Sequence, residues 1–177
     1  MTTLADHARS MIAATIWADD RILAAADGIS GEQYAQVRGQ FGHMLGTQRW
    51  WHANWTGGTW EEPNLPTLSA AREGYAASHE ALRSYADALT QDEWERAEAW
   101  WKPFGYDTRM QLGESITQVF YHAVQHRSEI AVLLSLWGHS PGDLDYLRFS
   151  SRDYRRSPPS DVTVEPEQRS IGNSFAL

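Results

Sequence analysis

The 177-residue chain has no cysteine. Disulfides, thiolate metal ligands and a cysteine nucleophile are therefore excluded. Basic residues are also scarce, with 15 Lys and Arg against 23 Asp and Glu and a formal net charge of -8. That balance argues against a nucleic-acid partner, because gripping a phosphate backbone takes clustered cations. The one basic cluster, Arg148, Arg152, Arg155 and Arg156, is interrupted by Asp153 and reads as a solvated tail. No apolar run approaches the length of a membrane span. Met1 to His7 lacks the basic-then-apolar order of a secretory signal, so the expected location is cytoplasmic, with no membrane partner. Convincing strand runs are missing too.

What is present is a repeated helical pattern. Leu4, Ala8, Met11, Thr15, Ala18 and Ile22 keep an alternating four-three spacing, with Thr2 or Thr3 as N-cap and Asp27-Gly28 as the stop. Ser30-Gly31-Glu32-Gln33 then reads as a capping box. Val37, Phe41, Met44, Gln48, Trp51 and Trp55 carry the same spacing up to Thr56-Gly57-Gly58. Leu68, Ala71, Tyr75, Ser78, Leu82, Tyr85 and Leu89 repeat it after a cap at Thr67 or Ser69. A fourth stripe runs Leu112, Ile116, Val119, Ala123, His126, Ile130, Leu133 and Trp137, and ends at Gly138 and Pro141.

Four amphipathic helices without strands predict an all-α four-helix bundle over residues 1–150. The short link between the first two helices predicts that they are antiparallel neighbours. The link from about Leu89 to Arg109 is long, Trp-rich, and has room for a short hairpin. From about Ser151 the chain loses periodicity, and 151–177 is expected to be an extended or disordered tail. Seven of the nine Trp fall in two groups, Trp50, Trp51, Trp55 and Trp60, and Trp94, Trp100 and Trp101. Such groups either line a pocket or subunit contact or plug the bundle ends.

The chemistry concentrates at His122 and His126, four residues apart on one face of the fourth helix, where two rings can reach one ion. The stripe directs them inward. Two inward imidazoles are either metal ligands or core histidines satisfied by hydrogen bonds. Catalytic zinc sites usually take three protein ligands, and His43, beside Met44 in the second helix, is the best third candidate. His7, His52, His79 and His139 read as structural or surface imidazoles. Glu129, Gln48 and Arg127 are candidates to support the ligands from behind, Arg127 reading more simply as a helix-surface salt bridge.

Taken in order, His43, then His122-x3-His126-Arg127, then Gly138-His-Ser-Pro-Gly-Asp-Leu-Asp-Tyr-Leu147, make the chain resemble the DinB/YfiT-like superfamily of metalloenzymes. Trp17, Asp20, Arg21 and Leu23 add to the likeness, which covers roughly Leu4 to Phe149. The resemblance implies an up-down-down-up bundle, a homodimer, and a nickel or zinc ion held by His43, His122 and His126. Many members continue the second His with Arg-Gly-Gln, whereas Ser128-Glu129 follow Arg127 here, so a substrate preference does not transfer. Some relatives are S-transferases using a low-molecular-weight thiol on a small electrophile, and this is the leading expectation. A metal-dependent hydrolase and a non-catalytic binder of metal or a small ligand stand as alternatives.

Overall fold

The computed structural model describes residues 3–93, 96–100 and 108–154, with side chains described except at 97–100, 108–109 and 152–154. Helix α1 (Leu4–Ala25) opens on a capping box in which Thr3 and Asp6 satisfy each other's backbone N–H groups. It ends in a 3-10 turn, Ala26–Gly28. Gly28 does not take the left-handed cap expected of it. Its glycine serves space instead, since a Cβ there would run into the His139 ring. Helix α2 (Gly31–Thr56) starts with the Ser30–Gln33 capping box and stops at Gly57, which is left-handed at φ 69°. Helix α3 (Leu68–Ala88) is capped by the Thr67 hydroxyl. A hairpin, β1 (Ala97–Trp100) antiparallel to β2 (Thr108–Gln111), leads into α4 (Leu112–Leu136). Helix α5 (Tyr146–Tyr154) follows, so the helical chain runs four residues past the expected boundary at 150. The rest of the expected tail, like Trp94 and Trp101, lies outside the described residues.

Contacts along the helices fix their directions. The Tyr34 hydroxyl at the start of α2 donates to the Leu65 carbonyl just before α3, and Trp55 at the end of α2 stacks on Tyr85 at the end of α3. Helices α2 and α3 are therefore parallel, and the segment 57–67 returns along the bundle. Arg9 near the start of α1 bonds the carbonyls of Ala86 and Leu89, making α1 and α3 antiparallel. The bundle is up-down-down-up. Helices α1 and α2 each pack chiefly on α3 and α4. They face each other across the diagonal rather than side by side, which corrects the inference from their short connection.

The core has two apolar halves. One contains Ile22, Val37, Phe41, Met44, Tyr75, Ile130 and Leu134. The other contains Ile12, Ile16, Trp51, Trp55, Leu82, Leu112 and Ile116. Trp51 and Trp55 thus plug one end of the bundle, with Trp50 packed against them. The buried stripe of α4 also departs from the expected one. Arg127 is 3% exposed, whereas the neighbouring His126 is only half-buried and faces the groove between α4 and α2. No described helix is long and apolar enough to cross a membrane.

Candidate metal centre

Helices α2 and α4 run antiparallel and bring His43 opposite His122 and His126. The ring centroids of His43 lie 4.8 Å from each of the other two, and those two are 4.6 Å apart. One ligand nitrogen from each ring lies within 4.8 Å of the others. Metal–imidazole bonds of about 2.0–2.1 Å at tetrahedral angles put donor atoms roughly 3.4 Å apart. Rotation of the three rings about their side-chain torsions is the movement that would close that gap. His43 is exposed and the other two are half-buried, so the cluster opens to solvent.

Two neighbours orient the rings. The His126 Nδ1 lies 2.7 Å from the Glu129 Oε2, one helical turn on. That leaves Nε2 of His126 as the nitrogen free to bind an ion. The hydrogen bond to His126 also draws the Glu129 pKa below its usual value. His122 Nε2 lies 3.2 Å from the Thr47 hydroxyl of α2. Burial, then the adjacent His126 and His43, push the His122 pKa down to about 4. Its imidazole is neutral at pH 7, with a lone pair to give. Three nitrogen donors with one carboxylate behind them fit a divalent ion of intermediate softness.

The other candidates separate from this cluster. Gln48 and Arg127 point the opposite way, into the bundle. Gln48 Nε2 donates to Asp19 Oδ2 over 2.6 Å, and its Oε1 accepts from Ser78. Arg127 Nη1 donates to Asp19 Oδ1 at 2.9 Å and to the Thr15 carbonyl at 3.1 Å. It is a buried interhelix pair rather than a surface salt bridge. His79 is buried as well, not a surface imidazole, with its ring between Asp19 and Asp20. His7 is exposed, His52 packs on Tyr85 and His139 on Gly28. Thr47 and Asp19 were not singled out in the sequence. Thr47 carried only one signal, its place one turn after His43. Asp19 carried one too, standing one turn after seam residue Thr15.

Beside the cluster lies a polar cleft of ≈ 380 Å³. Its floor is one side of α2, Arg38, Gly39, Gly42 and His43, and its far wall is Glu62, Pro63 and Asn64 of the returning segment. A Cβ on Gly39 or Gly42 would meet nothing within 4 Å, so the floor is open. The cleft gives a small molecule a way to His43.

The family model described as "DinB family" matches residues 2–160. No curated protein and no solved structure matches the chain. The match spans the helices that bring the three histidines together, and the chain belongs to the DinB family.

Proposed function

We propose that His43, His122 and His126 hold a nickel or zinc ion, and that the protein transfers a low-molecular-weight thiol to a small electrophile. The observation that carries this reading is the convergence of three imidazoles, one of which, His43, lines an open cleft, with Glu129 behind another. A divalent ion bound there supplies Lewis acidity, which favours a bound thiolate over the thiol. The chain's own groups do the rest. His122 stays unprotonated, Glu129 holds the His126 ring in one orientation, and the absence of cysteine leaves the sulfur to the small molecule. Arg38 is the one cationic side chain among the residues lining the cleft, and it favours a substrate or thiol bearing an anionic group.

The test is a titration of cobalt-loaded protein with small thiols, followed by turnover assays with activated electrophiles. A thiol-dependent change in the visible spectrum, together with thiol-dependent turnover, is the expected result. Ester or amide hydrolysis without thiol would move the assignment to a hydrolase, and ligand affinity without turnover would leave a binding protein. The homodimer implied by the resemblance belongs to the same reading. Large apolar side chains on the outer face of α4, Val132 and Leu136, are exposed and support it. Sedimentation equilibrium gives the mass that decides it.

A further inference from the structure

Each of the four long helices buries polar side chains at one level, between the two apolar halves of the core. On α1 this is Asp19, between Ile16 and Ile22; on α2 it is Gln48, between Leu45 and Trp51. On α3 it is Ser78 and His79, between Tyr75 and Leu82; on α4 it is Arg127, between Val119 and Ile130. The layer converges on one carboxylate. Asp19 Oδ1 accepts from Arg127, and Oδ2 accepts from Gln48, with His79 Nε2 3.4 Å away. Asp19 thus joins all four helices, and it is 1% exposed.

A buried charge without partners is costly, so a layer of this kind allows only the helix register in which every member is satisfied. A single buried Asn sets register in coiled coils on the same physics. The layer is level with the histidine cluster. Gln48 follows Thr47, which touches His122, and Arg127 follows His126. Successive helical residues are about 100° apart around the axis, from 3.6 residues per turn. Anchoring Gln48 and Arg127 inward therefore turns Thr47 and His126 to the flank where α2 meets α4.

We propose that Asp19 is a positioning residue for the histidine cluster, acting through Gln48 on α2 and Arg127 on α4. The inference rests on the metal reading for its consequence, but its geometry is independent of it. Without Asp19 the two helices lose the common anchor that sets His43 against His122 and His126.

The test compares Asp19→Asn with Leu82→Ala, a cavity in the apolar half that holds Trp51 and Trp55. Cobalt affinity and the visible cobalt spectrum are read for both, beside the wild type. Asp19→Asn is expected to bind cobalt about 10-fold or more weakly, in line with other groups that support ligands from behind, and to shift the spectrum. Leu82→Ala is expected to change neither. Gln48→Met, which keeps the Asp19–Arg127 pair, provides the readout if Asp19→Asn does not fold, with a smaller loss in the same direction. Wild-type affinity and spectrum in Asp19→Asn or, where that does not fold, in Gln48→Met would overturn the proposal. So would a loss no larger than that of Leu82→Ala.

A wild-type protein that takes up no metal would refute the metal reading alone. The positioning claim is then decided by spin labels at Gln36→Cys and Gln125→Cys, clean sites in a chain without cysteine. A broader α2–α4 distance distribution on adding Asp19→Asn or Gln48→Met supports it, and an unchanged one overturns it.

Discussion

Glu129 decides which nitrogen His126 can offer, because its carboxylate sits 2.7 Å from Nδ1. Carboxylates behind metal-bound imidazoles typically contribute 10–100-fold in metal affinity. Glu129→Gln should lower affinity by about that factor, read by competition with a chromogenic chelator, while the circular dichroism spectrum stays unchanged. The same stretch shows how far residues could be read from order alone. His43, His122 and His126 were recognisable by spacing and by resemblance, and they do converge. The apolar seam of α4 is not what places them. The seam position after Ala123 belongs to Arg127, because Asp19 waits for a cation in the core. A stripe counted from apolar residues cannot show a charge whose partner lies 108 residues away.

At the level of elements, the helix ends were the most legible part. Ser30–Gln33 and Thr67 act as caps where the sequence placed them, and Gly57 and Gly138 take the left-handed conformation that stops α2 and α4. Ser30→Ala removes a hydroxyl that accepts from the Gln33 N–H at 3.2 Å. It should cost about 1 kcal/mol in urea unfolding and leave metal affinity unchanged, since the cap is over three turns from His43. Pairing between helices was less legible. A short link constrains two helices to run antiparallel but not to touch, and the long returning segment lets α2 and α3 run parallel instead. The long link had room for a short hairpin, and β1 and β2 form one, but the sequence did not say which residues pair. That pairing depends on backbone register, which composition does not encode.

Across the whole molecule, the buried polar layer governs both stability and its pH dependence. Burial alone would raise the Asp19 pKa, but the Arg127 charge and the His79 hydrogen bond outweigh it, and the net direction is down. Burial alone would lower the His79 pKa, but Asp19 and Asp20 outweigh it, and the net direction is up from 6.5. The signs follow. The folded state holds a proton on His79 that the unfolded chain releases, so this stabilisation is full below about pH 6.5. It is lost as pH rises through the higher folded value. Asp19 contributes above about pH 4 and loses its contribution as pH falls through its lowered value. His122, held down to about 4, makes the metal-free protein gain stability between that value and 6.5. Urea midpoints of metal-free protein should therefore fall as pH rises above about 6.5, and His79→Gln should remove that decline.

Removing one partner of the buried pair is harsher. Arg127→Met leaves Asp19 buried without its cation and should cost about 3–5 kcal/mol, measured by the same unfolding curves. An unchanged midpoint would mean that the carboxylate is relieved in some other way.

The most direct measurement is the metal content of untagged protein after nickel or zinc loading and gel filtration, beside His43→Ala and His122→Ala. One ion per chain in the wild type, lost from both variants, is the predicted result. No retained metal in the wild type, or equal metal in the variants, would contradict a centre built on His43, His122 and His126.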